Sequence, residues 1–479
     1  MRKRRLLLAA GSLTAAVAAG LLFASATRPN AALTTRGNDD QLFAESVTVA
    51  PGTGLFFTWG VTPSPRAKAI ARGQTGAGER YGDTYAQTRA LMTQLTDDLR
   101  ELGLTLRDVI AVRANLVAEP ELDLDGWNRA FAEFFGNLTN PHKPARTTIG
   151  ISRLFHPDYR AEVEFVVAIP ADRGPFAEGS RFQRMHDRLH RVETNPRVRS
   201  YGRPSWPLST GKAIAPGTAL YFQSAQFPDP VMPRMAQMPL NMRMFKGDLA
   251  AQAEQVFNKH AAALKDAGLT PAEAIFSRNI LYPDPKQGGF LDFAAFNGVY
   301  QKHYDNDENP NRLARTIMSA PGYARQGQLL TVETYAAYPG DETARFRSAE
   351  QTVPLVAYGL QEGADQASGV AVSPEAALTF LSGIIAPTRG TMKAEAEAVF
   401  GLAKERLAAV GATFDHVVQM RAYLAVGNKP TDVAEFQKVY AATFTGTHKP
   451  AITILPVLAL ANEALVAVEF IAATLPEGS

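Results

Sequence analysis

Apolar positions along the chain follow two rhythms. Leu91, Met92, Leu95, Leu99 and Leu102 recur at helical spacing, which predicts a helix over Thr84–Leu102 that ends at Gly103. Trp127, Phe131 and Phe134 predict a second helix over Asp125–Phe135. Between and after them, Ile110–Val117, Ala145–Ile151 and Ala161–Ile169 are short apolar runs of strand length. Ser46–Val49 and Leu55–Gly60 read as a β-hairpin turned at Pro51-Gly52-Thr53-Gly54. Thr105–Asp108 has capping-box spacing for a short turn. The predicted order is β-β-α-β-α-β-β, an α+β layer with helices on one face of a sheet.

This pattern is written three times. VAPGTGLFFTWG (Val49–Gly60), IAPGTALYFQSA (Ile214–Ala225) and VSPEAALTFLSG (Val372–Gly383) open equivalent stretches. In each copy a helix ends near a glycine (Gly103, Gly268, Gly411), and an arginine follows ten residues later (Arg113, Arg278, Arg421). A second helix, a strand with KPART, RLART or KPAIT, and a strand with VEF or VET complete each copy. The later helices are expected at Leu249–Ala267, Phe290–Tyr304, Lys393–Val410 and Asp432–Phe444. Such repetition sets the architecture: domains at 42–170, 205–338 and 353–475, linkers at 171–204 and 339–352, and structure beginning near Leu42. The first two copies carry an insertion after the first apolar stretch. In copy two it is Met-rich (Met232, Met235, Met238, Met242, Met244) and read as packing filler.

The 479 residues, 46% of them hydrophobic, suffice for three compact domains. A net charge of +2 without a polybasic field argues against a nucleic-acid surface. Residues 1–26 read as an export signal: Arg2–Arg5 are basic, Leu6–Phe23 apolar, and Ala24-Ser25-Ala26 is an A-x-A cleavage site. The expected location is periplasmic or secreted. An uncleaved segment would instead act as a membrane anchor. The chain has no cysteine, so it has no disulfide and no thiol catalysis. His186 and His190 stand one helical turn apart, but four nearby arginines disfavour a cation, and no metal site is assigned. No nucleophile elbow, Walker motif, zincin pattern or dinucleotide fingerprint is present.

Differences between the copies supply the candidate chemistry. Arg146 and Arg315 share one slot, each eighteen residues after an asparagine (Asn128, Asn297), whereas copy three has Ile452 and Gln437. A guanidinium fork suits a carboxylate. Glu162 is matched by Thr331 and Ala467, while Glu164, Glu333 and Glu469 recur, as do Arg113, Arg278 and Arg421. The recurring sets read as structural pairs near a pseudo-threefold axis. Glu162 reads as the general acid or base, with Arg146 as its partner because only copy one keeps both. Ser224 and Ser382 share a slot that Trp59 fills in copy one; they orient a ligand or serve packing.

FQSAQFP (Phe222–Pro228), LSG (Leu381–Gly383), FNGVY (Phe296–Tyr300), PARTT (Pro144–Thr148) and AEVEFVVAI (Ala161–Ile169) resemble the Rid family, the reactive intermediate deaminases also called YjgF or L-PSP endoribonucleases. The resemblance covers about three quarters of the chain. It implies three tandem chorismate-mutase-like (Rid-type) domains forming an intramolecular pseudo-trimer, monomeric as a chain, with ligand clefts between repeats. It implies a substrate-carboxylate arginine at Arg146 and Arg315 and a water-activating glutamate at Glu162. Ser224, Ser382, Asn128 and Asn297 match further family positions, and Thr148 stands where many relatives have cysteine. Copy three lacks the arginine, and the family's N-terminal Tyr is not evident in copy one. The implied activity is cofactor-independent hydrolysis or deamination of a small carboxylate-bearing imine, enamine or related metabolite. A non-catalytic binding protein and a scaffold are the alternatives.

Overall fold

The computed structural model describes residues 30–37, 42–64, 80–154, 156–177, 195–201, 209, 211–237, 244–289, 291–321, 327–342, 346, 354–359, 367–425, 430–446 and 448–475. The export signal, His186, His190, Met238, Met242 and most of both linkers lie outside the described residues.

The first repeat contains β1 (Leu33–Arg36), β2 (Ser46–Val49), β3 (Gly54–Thr58), α1 (Thr84–Glu101), β4 (Val109–Val117), α2 (Leu124–Ala132), β5 (Ala145–Ile151), β6 (Arg153–Leu154) and β7 (Ala161–Ile169). The second contains β8 (Val198–Tyr201), β9 (Gly211–Ile214), β10 (Leu220–Gln223), α3 (Leu249–Asp266), β11 (Ala274–Leu281), α4 (Phe293–His303), β12 (Ala314–Ser319) and β13 (Leu330–Ala337). The third contains β14 (Leu355–Tyr358), β15 (Gly369–Val372), β16 (Ala377–Ile385), α5 (Met392–Ala408), β17 (Val417–Leu424), α6 (Pro430–Thr443), β18 (Ala451–Pro456) and β19 (Val466–Thr474). Strands β1 and β8 lie outside the domain ranges expected from sequence.

Local chemistry repeats with the elements. Asp83, Asp248 and Thr391 each cap the first turn of the long helix by accepting a backbone N–H. Gly103, Gly268 and Gly411 end those helices at φ +75°, +76° and +72°, a conformation that favours glycine. The capping box at Thr105–Asp108 forms as predicted and feeds the chain into β4. On β4, Val112, Ala114 and Leu116 pack in one cluster with Leu91, Leu95 and Leu99 of α1 and Trp127 and Phe131 of α2. Alternation sends Arg113 and Asn115 to the opposite face.

The predicted β2–β3 hairpin does not form. β2 pairs with β1 and β16, and β3 pairs with β7 and β9. The three sheets run β5-β4-β7-β3-β9-β8, β14-β15-β10-β13-β11-β12-β6 and β1-β2-β16-β19-β17-β18. Each sheet therefore combines four strands of one repeat with the leading pair of another, and the second sheet adds β6 of the first repeat at its edge. β8–β9 joins the first sheet, β14–β15 the second and β1–β2 the third, so the exchange closes on itself. Gly52 at φ +69° lies on the crossing from β2 to β3. An alternating run specifies a strand and its buried face, but it leaves the choice of edge open.

The inner sheet faces share two apolar clusters. One contains Phe57, Val166, Phe222, Phe276, Tyr335, Phe380 and Val418. The other contains Ile149, Ile280, Tyr282, Tyr423, Leu455 and Ala467. On β11, Phe276 belongs to the first and Ile280 to the second, with Arg278 between them. At that level the recurring residues form a closed ring. Arg113 meets Glu164 at 3.1 Å and Glu469 at 2.6 Å. Arg278 meets Glu164 at 2.8 Å and Glu333 at 3.5 Å. Arg421 meets Glu333 at 2.8 Å and Glu469 at 3.0 Å. Tyr335, Tyr423 and Thr453 donate their hydroxyls to the ring carboxylates. Arg113 and Arg421 hold the Glu469 carboxyl down at about 2, against the burial that alone would raise it. The three arginines and three glutamates cancel in charge, which lets the ring sit inside an apolar core.

Candidate active site

Each repeat's edge strand meets the sheet of another repeat, which creates three equivalent junctions. At the first, the Arg146 backbone N–H donates to Ser382 Oγ at 2.8 Å, and that hydroxyl donates to the Ala44 carbonyl. At the second, the Gly60 N–H donates to the Arg315 carbonyl at 3.4 Å. At the third, the Ile452 N–H donates to Ser224 Oγ at 2.9 Å, and Ser224 donates to the Ala367 carbonyl at 2.5 Å. Ser224 and Ser382 thus tie separate segments together, and their single O–H donors are already engaged. The ligand-orienting reading of these serines gives way to that of interface latches.

The second junction brings Arg315 and Glu162 within range of each other's charge. Arg315 extends from β12 over the rings of α4, with its guanidinium 4.5 Å from the Tyr300 centroid and 5.7 Å from that of Phe296. Among the described residues it has no carboxylate within ion-pair distance, and its Nε has no hydrogen-bond partner. Burial lowers its pKa, opposed by Tyr300 and Glu162. Glu162 comes from β7 of the first repeat and is buried. Burial, and then the neighbouring Glu164 charge, push its carboxyl well above the usual range. The Ile317 backbone N–H, Arg315 and Arg278 oppose that shift. Gly60 makes room for this side chain, because a Cβ there would collide with the Glu162 carboxyl. The Oδ1 of Asn297 is buried and unpartnered.

The first junction holds Arg146 without a glutamate. Its guanidinium lies 4.4 Å from the Phe43 centroid, 4.8 Å from Phe131 and 6.0 Å from Trp127. Burial lowers its pKa to about 9. Arg146 Nη1, Trp127 Nε1, Asn128 Oδ1 and Thr148 Oγ1 are all buried and unpartnered among the described residues. The sheet facing it is the third, where Ala467 takes the place of Glu162. At the third junction Ile452 replaces the arginine, and Thr331 is engaged by Tyr282 at 3.0 Å and Gln328 at 2.8 Å.

The pairing of Glu162 with Arg146 is therefore corrected. The two lie on β7 and β5 of one repeat, but the junctions join separate repeats, and there Glu162 lies beside Arg315. Sequence comparison also passed over Asn115, a fully buried residue opposite Glu162 in the β4–β7 register. Lining it up with Ile280 and Tyr423 would have exposed it as a polar position peculiar to copy one.

An arginine with no carboxylate within ion-pair distance among the described residues can hold a small carboxylate, the free amide oxygens can accept N–H donors from it, and a carboxyl pushed well above its usual range can exchange a proton with it. The family model for endoribonuclease L-PSP matches residues 66–169 and 368–474. The chain belongs to this family, the Rid/L-PSP proteins. The crystal structure of the yeast protein YEO7 is 30% identical over 25% of this chain and 97% of its own length, with a TM-score of 0.19. Yeast Mmf1 is 27% identical over 25% of this chain and 98% of its own, with a TM-score of 0.19. RidA from an Antarctic Psychrobacter is 27% identical over 20% and 79%, also with a TM-score of 0.19. Membership points to a small-molecule deaminase or endoribonuclease-like function.

Proposed function

We propose that this chain is an exported, cofactor-independent hydrolase of the Rid type that deaminates a small carboxylate-bearing imine, enamine or related metabolite. The observation that carries this reading is Arg315, free of any carboxylate partner among the described residues, beside Glu162 of the preceding repeat, whose carboxyl burial pushes well above the usual range. In this reading the three repeats stand as an intramolecular pseudo-trimer, and the mature chain is a monomer in the periplasm, secreted, or held at the membrane by an uncleaved leader.

Arg315 binds the substrate carboxylate, a charge-assisted contact contributing about 1.5–3 kcal/mol. Glu162 gives its proton to the imine nitrogen while water attacks the imine carbon. The resulting carboxylate takes a proton from the attacking water. Collapse of the carbinolamine releases ammonia and leaves the carbonyl product. Proton transfer of this kind is worth roughly 10²–10⁴-fold. The Arg146 cleft lacks the acid and binds a carboxylate without turning it over. RNA cleavage fits poorly with export and with a net charge of +2.

The test generates 2-imino acids in situ with an amino-acid oxidase and follows ammonia release. The wild-type chain should accelerate release, and Glu162→Gln should abolish the acceleration while small-carboxylate binding survives. Carboxylate binding unaffected by Arg315→Ala and Arg146→Ala together would refute the reading.

A further inference from the structure

The inner face of the first sheet carries a polar pair that the other two sheets lack. Asn115 on β4 stands directly opposite Glu162 on β7. The matching pairs are Ile280 opposite Thr331 and Tyr423 opposite Ala467. The amide thus occurs only where the carboxyl occurs. Asn115 is 0% exposed, and among the described residues neither its Nδ2 nor its Oδ1 has a hydrogen-bond partner. Leaving both ends of a buried amide unmet is destabilising. A position that needed only to be filled would hold an apolar side chain, as Ile280 does in the second repeat. Directly opposed residues on antiparallel strands have Cβ atoms about 4.5–5.5 Å apart, close enough for one small oxygen species to touch both side chains.

We propose that Asn115 is a positioning residue that holds the attacking water beside Glu162 at the inner end of the Arg315 cleft. The proposal rests on reading that cleft as hydrolytic. Asn115 Oδ1 accepts one O–H of the water, and the other O–H is directed at the Glu162 carboxylate once its proton has passed to the imine nitrogen. The water lone pair forms the bond to the imine carbon, the C=N pair moves to nitrogen, and the water's second proton returns Glu162 to its neutral form. No oxidant or cofactor enters this balance.

The experiment compares wild type, Asn115→Leu and Glu162→Gln by kinetics and by infrared spectroscopy. The carboxylic C=O stretch of Glu162 is identified by its loss in E162Q. N115L conserves shape, so the fold is kept and the melting temperature should not fall. The expected result is a kcat lowered about tenfold or more with KM within about twofold, a displaced pH profile, and a shifted Glu162 stretch. Unchanged kcat together with an unmoved stretch overturns the proposal. If the wild-type chain turns over no imine, the hydrolytic reading fails separately. The stretch alone then decides: a shift in N115L retains the Asn115–Glu162 coupling, and an unmoved band rejects it.

Discussion

Glu162 and Arg315 belong to successive repeats, on β7 and β12, yet each feels the charge of the other. The guanidinium draws the Glu162 carboxyl down, and the carboxylate draws the Arg315 guanidinium up, each against the effect of burial. A site split in this way behaves as one unit only if the repeats stay docked.

A kinetic double-mutant cycle tests that unity. Arg315→Ala should raise KM by about 10- to 150-fold, the equivalent of losing about 1.5–3 kcal/mol of charge-assisted contact. Its effect should be non-additive with that of Glu162→Gln, because both residues act on one substrate. Arg146→Ala should leave kcat within about twofold and remove a second carboxylate-binding event from titration calorimetry.

The upward shift of the Glu162 carboxyl sets a pH dependence of stability. Its folded pKa lies above the unfolded value of about 4.3, so its favourable contribution is complete below that pH and is lost as pH rises through the folded value. Glu162→Gln should therefore raise the melting temperature at pH 8, and the gap should close near pH 4. Thermal melts across this range measure both limits.

The Arg–Glu ring predicts the opposite behaviour in acid. Glu469 is held at about 2, so its contribution is present in full above about pH 4.3 and disappears as pH falls through about 2. Removing one member, as in Arg278→Met, leaves Glu164 to Arg113 and Glu333 to Arg421, with one buried negative charge uncompensated, and should cost about 3–5 kcal/mol in denaturant unfolding.

Ser382 gives a structural contrast to the clefts. Ser382→Ala leaves the Ala44 carbonyl and the Arg146 N–H without this partner. The expected cost is about 1–3 kcal/mol of stability. Turnover in the Glu162 cleft should be unchanged, which ammonia-release kinetics on the folded variant would show.

Much of this fold could be read from local pattern. The helices starting at Thr84 and Leu249 and the strands Ala145–Ile151 and Ala161–Ile169 follow from spacing and caps. The recurrence of Arg113 and Glu164 pointed to structural pairs, and the ion pairs they form bear this out. The partners of strands were hidden, because β2 and β3 are sequence neighbours that end in different sheets. The same blindness misassigned the site. Arg146 and Glu162 are near each other in sequence, whereas the cleft joins Glu162 to a residue 153 positions later, Arg315. Asn115 was missed for a simpler reason: its amide differs from the aligned Ile280 and Tyr423, but a lone asparagine in an apolar strand gains meaning only once it is seen buried opposite Glu162.

The most direct test of the central claim is ammonia release from a panel of 2-imino acids by the wild-type chain, Glu162→Gln and Arg146→Ala side by side. The account predicts turnover by wild type and Arg146→Ala, and a loss of about 10²–10⁴-fold in Glu162→Gln. Equal rates in wild type and Glu162→Gln, or no rate above the uncatalysed reaction for any imine in the panel, would contradict it.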